Sequence, residues 1–231
     1  MKFLNRNHLK YIAVIAMLID HFAHYFLSDI WGTPIYIICR FIGRLTAPIM
    51  CYFLVEGFIY TSSKKKYFLR LLIFTFISQI AFDIAHKQSF LSLEFSMIYT
   101  LLCCFSMFWV MNSFENIFLK ILSVIPFIFI SRFGDWGTTA PYWVLGFYLL
   151  RKSVYLQLLP YLAVSSYKII MQLVQYQETT FTPAIMTSGL LLFIPLILLY
   201  NKNSGKKNSF NKWFFYIIYP AHLFLIGLLL I

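Results

Sequence analysis

Long apolar stretches recur from one end of this chain to the other, and they restrict its possible folds more than any other feature. A helix of about 20 apolar residues crosses the ~30 Å hydrocarbon core of a bilayer. In that core every backbone polar group needs a partner within the protein, which a helix supplies by itself. Only 12% of the residues are charged, against roughly 25% in soluble domains. The sequence therefore predicts an all-α, polytopic integral membrane protein folded as a helical bundle.

The hydropathy pattern divides the chain into nine predicted membrane spans. Eight or ten spans are the alternatives, because the sixth is short for a perpendicular crossing. No linker or second domain stands out, so we predict a single transmembrane domain over residues 1–231. The spans lie at residues 9–27, 34–60, 67–85, 93–111, 117–131, 139–150, 153–174, 182–200 and 213–231.

The net charge of +11 could indicate nucleic-acid binding, but its distribution indicates topology. If the N-terminus is cytoplasmic, the inner loops collect nearly all lysines and arginines, while the outer loops hold only Lys87 and Arg132. This asymmetry is the positive-inside pattern. We therefore predict a cytoplasmic N-terminus, the lipid bilayer as the surrounding medium and no nucleic-acid partner. Residues 201–209 are predicted to form a solvated inner loop.

The four cysteines fall within apolar spans and do not have metal-ligand spacing. We interpret them as packing residues and predict no metal site. They are Cys39, Cys51, Cys103 and Cys104.

Asp20 and His21 place a carboxylate and an imidazole in the middle of the first span, with Lys10 at its inner end. Ionisable groups at such depth cost several kcal/mol unless they pair or face water, which makes them candidates for a functional site. On a helix Asp20 points about 100° away from His21. Pairing of Asp20 with an arginine or a second histidine is therefore favoured over direct orientation of His21.

Arg40 and Arg44 share one face of the second span, since they are four residues apart. They either pair structurally with Asp20 or Glu56, or form a clamp for a phosphate-bearing ligand. Gly43 beside them lacks a side chain and would allow the close approach of a helix or a ligand.

Helix geometry predicts that three spans bring polar groups to similar depth. His21 lies eleven residues beyond Lys10, about 16 Å along a helix. Arg44 descends to a comparable depth in the second span, and His222 lies near the middle of the last one. Pro220 is predicted to break that last helix beside the site.

Three other polar residues in the spans have their own interpretations. His24 is either a second acid or base or an interface residue. Asp83, one turn beyond Gln79, is favoured as the partner of an arginine. Glu56 is expected to pair with a basic residue such as Arg70.

Four segments carry a family resemblance: KYIAVIAMLIDH (10–21), RFIGRLTAPIMCYFLVEGF (40–58), the KKKYFLRLL and SQIAFD runs within 64–83, and KWFFYIIYPAHL (212–223). Together they resemble the TraX-type F-pilin acetylase family. Residues 90–200 agree with that family only in hydropathy. The basic residue separated from the histidine by ten residues and the arginine pair are also similar to the wider acyltransferase-3 group of membrane acetylases.

The resemblance implies an acetyl-CoA-dependent acyltransferase in a bacterial cytoplasmic membrane. The acyl donor would be cytoplasmic acetyl-CoA. The acceptor would be a membrane-presented peptide, such as a pilin N-terminus, or a glycan hydroxyl or amine. A non-catalytic membrane assembly factor and a small transporter are the alternative functions.

The residues divide into two sets under this resemblance. The catalytic candidates are His21 as the base, His222 as a second acid/base or acceptor-positioning group, and Asp20 as counter-ion. The candidates for neutralising CoA phosphates are Lys10, Arg40 and Arg44, and one arginine could stabilise the oxyanion.

Overall fold

The computed structural model describes residues 2–87, 93–175, 180–206 and 208–230. Within these ranges the backbone is helical apart from short turns and two isolated bridging pairs, Leu4 with Tyr200 and Phe95 with Gly134. The prediction of an all-α helical membrane bundle is confirmed.

Eleven α-helices occur in the described residues. They are α1 (Arg6–Phe26), α2 (Pro34–Gly43), α3 (Thr46–Tyr60), α4 (Lys64–His86), α5 (Met97–Met111), α6 (Ile117–Ser131), α7 (Thr139–Leu149), α8 (Val154–Gln175), α9 (Thr182–Ser188), α10 (Phe193–Leu198) and α11 (Ser209–Leu229), with short 3₁₀ turns at Ser28–Ile30 and Gly189–Leu192.

These helices correspond to the nine predicted regions, although several begin or end outside the predicted bounds. Helices α2 and α3 divide one region, and α9 and α10 with the turn between them divide another. Among the residues that the structure describes, four stretches are long and apolar enough to cross a membrane, judged by length and composition. They are Arg6–Phe26, Pro34–Tyr60, Lys64–His86 and Val154–Gln175. The orientation with a cytoplasmic N-terminus stays a prediction.

Residues in the first turns explain where α1 and α2 begin. The side chain of Asn5 accepts a hydrogen bond of 3.0 Å from the backbone N–H of His8, satisfying a donor that the start of α1 would leave unpaired. Proline at the first position of α2, Pro34, has the backbone angle of a helix and no N–H to satisfy.

A break separates α2 from α3 at Arg44 and Leu45. The backbone N–H of Arg44 bonds to the carbonyl of Phe41 at 3.3 Å, and that of Leu45 to Ile42 at 3.1 Å. These are three-residue bonds of the 3₁₀ type, which tighten the end of a helix. The second predicted span is therefore two helices, with Arg44 at their junction.

Two local predictions differ from the structure. The helix α5 begins at Met97 rather than at residue 93, because Phe95 donates to the carbonyl of Phe133 and accepts from Asp135, both at 2.8 Å. Hydropathy alone does not register such bonds between loops. The predicted break at Pro220 is wrong, since α11 continues through that residue. A proline removes one helix bond, and the remaining bonds carry α11 past it.

The chain consists of two compact units. The first contains Met1–Met50 and Gly146–Phe215 and holds a small apolar cluster of Ala23, Tyr36 and Met186. The second contains Cys51–Leu145 and Tyr216–Ile231. Its core includes Phe58, whose ring lies 5.2 Å from that of Phe105 and 5.3 Å from that of Phe108.

The predicted inner loop is anchored to the start of α1 over residues 201–206. The N–H of Arg6 donates to the carbonyl of Asn203 at 2.8 Å, and the side-chain amide of Asn7 donates to the carbonyl of Lys206 at 2.9 Å. Gly205 has a φ of +70°, and a Cβ there would approach the Asn7 side-chain amide. Glycine is therefore favoured at this tight turn.

The 3₁₀ turn after α9 fixes the position of α2. Gly189 lies directly against the backbone carbonyl of Phe41, and a Cβ at residue 189 would overlap that group. The hydroxyl of Tyr161 on α8 donates to the carbonyl of Leu190 at 2.5 Å. The turn is thus held on one side by α8 and packed on the other against α2.

Gly189→Ala should lower the free energy of unfolding by about 1–3 kcal/mol, because the added methyl group meets backbone that cannot rotate away. Thermal unfolding in nanodiscs measures the change. Leu191→Ala, at a partly exposed residue of the same turn, is the matched control and should have a smaller effect. Equal unfolding temperatures for Gly189→Ala and the unmodified protein would contradict this packing.

Candidate membrane-embedded site

An ion pair between α1 and α2 forms the centre of the candidate site. Nη1 of Arg40 lies 2.9 Å from Oδ2 of Asp20, and the two side chains are 14% and 15% exposed. The same nitrogen donates a hydrogen bond of 3.3 Å to the backbone carbonyl of Asp20. Arg40 therefore binds both the side chain and the main chain of one residue in the facing helix. The predicted role of Asp20 as an arginine counter-ion is present in the structure.

Gly43 makes this pairing sterically possible. A Cβ at this position would overlap Oδ1, Cβ and Cγ of Asp20. Oδ1 is buried and accepts no hydrogen bond from the residues that the structure describes. Because glycine leaves room for the carboxylate, Asp20 can pack directly onto the end of α2.

Arg44 lies beside this pair at the junction of α2 and α3. Its charge acts on Asp20 together with that of Arg40. The next residue but one, Thr46, donates from Oγ1 to the carbonyl of Ala13 at 3.0 Å, which ties the start of α3 to α1. The segment that carries Arg40 and Arg44 is thus held against α1 on both sides of the junction.

His21 directly follows the ion-paired Asp20 and is partly exposed. Its ring meets that of Tyr25, one turn further on, edge to face at 6.3 Å. His24 is exposed, and its ring lies 4.8 Å from the same tyrosine. The structure thus places two imidazoles around one aromatic ring in the C-terminal half of α1, and the interpretations of His24 stay open.

Lys10 lies in the second turn of α1, below this group. Its ammonium group lies 5.0 Å from the centre of the Phe215 ring, a geometry in which a cation is attracted to the aromatic face. The neighbouring Tyr11 donates from its hydroxyl to Asn211 at 2.7 Å. The N-terminal end of α1 is thereby packed against the start of α11.

The remaining candidate, His222, belongs to the second unit. It is buried, one of its ring nitrogens lies 2.8 Å from the carbonyl of Ile218, and its ring meets that of Tyr219 at 5.6 Å. The hydroxyl of Tyr219 in turn accepts a hydrogen bond of 3.2 Å from the N–H of Met97. The predicted convergence of His222 with His21 and Arg44 stays a prediction.

Gln79 organises a polar network that sequence reasoning did not identify. Its amide nitrogen donates to the Asp83 carboxylate at 2.8 Å and to the carbonyl of Glu94 at 2.9 Å. Its oxygen accepts from the N–H of Ser96 at 3.0 Å. Asp83 was predicted to pair with an arginine, whereas its carboxylate here accepts a hydrogen bond from the Gln79 amide. The sequence signal for this contact was the one-turn spacing of Gln79 and Asp83.

Glu56 and Arg70 were predicted to pair, and that pairing stays a prediction. The helices that carry Glu56 and Arg70, α3 and α4, are in contact, as the packing of Gly57 against the ring of Tyr67 shows. The guanidinium group of Arg70 lies 5.4 Å from the centre of that same ring.

No cluster of three or more histidine, cysteine, aspartate or glutamate residues with metal-binding geometry occurs in the part of the chain that the structure describes. The cysteines are free thiols; Cys51, Cys103 and Cys104 are buried, and Cys39 is partly buried.

Fold and site define a helical membrane protein that carries an ion pair and an adjacent histidine within apolar helices. A family model described as TraX protein matches residues 5–230. The chain is also similar to a probable fimbrial assembly protein FimC, serogroup H1, of Dichelobacter nodosus. The two are 34% identical over 234 residues, an alignment that covers 94% of this chain and 92% of that protein. No solved structure matches the chain. The chain therefore belongs to the TraX family, as its motifs predict. The relation to the acyltransferase-3 group stays a prediction.

Asp20→Asn or Arg40→Gln alone should lower the free energy of unfolding by up to about 3–5 kcal/mol, because the remaining charge loses its partner in an apolar setting. The double variant should lose less than the sum of the two. Thermal unfolding in nanodiscs measures all three. Arg132→Gln, at an exposed arginine, should change the stability little. Strictly additive effects of the two substitutions would show that the pair contributes no coupling.

Proposed function

We propose that this TraX-family chain is a membrane-embedded acyltransferase. It moves an acetyl group from cytoplasmic acetyl-CoA to an acceptor at or beyond the bacterial cytoplasmic membrane. The observation that carries the proposal is the Asp20–Arg40 ion pair, which holds the helix segment that bears His21. Charged groups of this kind are costly in a membrane helix and are retained where they serve a function.

His21 acts as the general base in this proposal. The acceptor amine or hydroxyl attacks the carbonyl carbon of the thioester, a bond from nitrogen or oxygen to carbon forms, and the carbon–sulfur bond breaks. The proton of the acceptor passes to His21 and then to the departing thiolate, which leaves as the free thiol of CoA. Imidazole suits this step because its ordinary pKa lies near neutral pH.

The basic residues divide between two tasks. Arg40 is bound to Asp20, so its main role is to position α1. Arg44 binds the donor or stabilises the oxyanion, a task for which the guanidinium fork is suited. Lys10 neutralises a phosphate of CoA at the inner end of α1, about 16 Å from His21 along the helix. The flexible thioester arm of acetyl-CoA would extend between these positions.

The acceptor is proposed from the family and from the relative. That relative is named a probable fimbrial assembly protein, so an exported fimbrial or pilin subunit is the first acceptor class to test. A glycan hydroxyl or amine is the second. His222 would position the acceptor or act as a second acid or base.

A non-catalytic assembly role is the second candidate function, and it is compatible with the name of the same relative, a probable fimbrial assembly protein. Neither comparison favours the transporter alternative. Release of free thiol from acetyl-CoA separates the two remaining candidates, because an assembly factor would not consume the thioester.

His21→Ala should lower the rate of acetyl transfer by about 10²- to 10⁴-fold, the range contributed by a positioned base. The assay follows thiol release from acetyl-CoA and acetylation of a synthetic pilin N-terminal peptide by the protein in nanodiscs. His8→Ala, at an exposed histidine of the same helix, is the matched control. His24→Ala distinguishes a second acid or base from an interface residue. Full activity of both His21→Ala and Arg44→Ala would refute the acyltransferase proposal.

Arg44→Ala should raise the KM for acetyl-CoA by about 10- to 100-fold. A hydrogen bond to a charged group contributes about 1.5–3 kcal/mol, and each 1.4 kcal/mol corresponds to about tenfold in affinity. Arg44→Lys should be intermediate, since an ammonium group keeps the charge but not the planar fork. Arg132→Ala serves as the control. An unchanged KM in Arg44→Ala would exclude Arg44 from donor binding.

A further inference from the structure

Gly43 lies in direct contact with α1 at the end of α2. It is the last residue of α2 and is buried, and the side chain of Asp20 occupies the space that a Cβ on residue 43 would take. Alanine is favoured over glycine in a helix by about 1 kcal/mol. The glycine is therefore explained by the contact rather than by the local backbone.

Three contacts with α2, two of them from Arg40, hold Asp20 at this point. Oδ2 pairs with Arg40 at 2.9 Å, the backbone carbonyl accepts from the same guanidinium at 3.3 Å, and Oδ1 faces Gly43. Contacts to both the main chain and the side chain of one residue limit the rotation of α1 about its own axis as well as its sliding along α2.

That rotation determines where His21 points. Asp20 and His21 are consecutive residues of one helix, about 100° apart around its axis. A rotation of α1 about that axis therefore moves the imidazole of His21 through the same angle as Asp20. The other partner in the contact is fixed independently, because Gly189 presses on the carbonyl of Phe41 in α2. We therefore expect a group inserted at residue 43 to displace the Asp20 side chain and the part of α1 that carries it.

We propose that Gly43 is a positioning residue: by admitting the Asp20 carboxylate against the end of α2, it sets the rotation of α1 and so the placement of His21 relative to Arg44. The inference rests on the proposed acyltransferase function. It assigns Gly43 no contact with substrate, so its effect passes entirely through Asp20.

Gly43→Ala should therefore separate the kinetic parameters. We expect a fall in kcat of about 100-fold, the cost of misplacing a reacting group by about 1 Å. The KM for acetyl-CoA should stay close to that of the unmodified protein, because Arg44 and Lys10 are retained. A merely structural role would instead lower the amount of folded protein and leave the kcat of the folded fraction unchanged. Ile35→Ala, at an exposed residue of α2, is the control.

A double-variant cycle tests whether the effect passes through Asp20. In an Asp20→Ala background the contact is already lost, so adding Gly43→Ala should lower kcat little further. If the two substitutions lowered kcat independently, so that their effects multiplied, the proposal would be overturned. It would also be overturned if Gly43→Ala kept the kcat of the unmodified protein while His21→Ala was inactive. Full activity in His21→Ala would instead refute the proposed function itself.

A distance measurement tests the geometry without any assay of activity. Spin labels at Phe22→Cys and Ile38→Cys, both exposed positions, report the arrangement of α1 and α2. Cys39→Ala removes the one cysteine that is not buried. Gly43→Ala should shift the distance distribution, whereas Asp20→Asn, which keeps the shape of the side chain, should shift it less. An identical distribution in Gly43→Ala would overturn the positioning role.

Discussion

The ion pair between Asp20 and Arg40 governs the arrangement of α1 and α2. A carboxylate or a guanidinium alone within an apolar helix is costly, and each removes the cost of the other only when the two helices meet at one register. The pair forms at 2.9 Å beside Gly43, whose missing side chain lets the Asp20 carboxylate pack against the end of α2. Electrostatics and the absence of one side chain thus act together to align two antiparallel segments.

This alignment divides the work of two arginines that look equivalent in the sequence. Arg40 lies in a regular helical turn and is committed to Asp20, whereas Arg44 stands where the hydrogen-bond pattern changes at the junction of α2 and α3. A break of this kind gives a polar side chain and nearby backbone groups a place within an otherwise apolar span. The proposed donor-binding role falls to Arg44 for that reason.

The limits of prediction follow from the kind of interaction involved. Hydropathy located the nine helical regions because membrane insertion depends on summed transfer energies over about 20 residues. It misplaced the start of α5, which is set by bonds between Phe95 and the loop at residues 133–135. The helix break predicted from Pro220 was wrong for another reason, because the loss of one hydrogen bond does not end a helix whose other bonds persist. The Gln79 network joins groups up to 17 residues apart, beyond the reach of local patterns.

The sequence by itself determined the all-α membrane class, the family and the identity of the charged candidates, since each follows from composition, periodicity or short motifs. Only the tertiary structure decided which charges pair. Asp20 could have met Arg40, Arg44 or a histidine, and the choice depends on the rotation and register of α1 and α2. The two residues that pair are 20 positions apart in sequence. It likewise showed why residue 43 is a glycine, because the space a side chain would need is occupied by a residue of another helix. Both facts depend on contacts between residues that are distant in sequence, and a pattern along the chain does not contain those contacts.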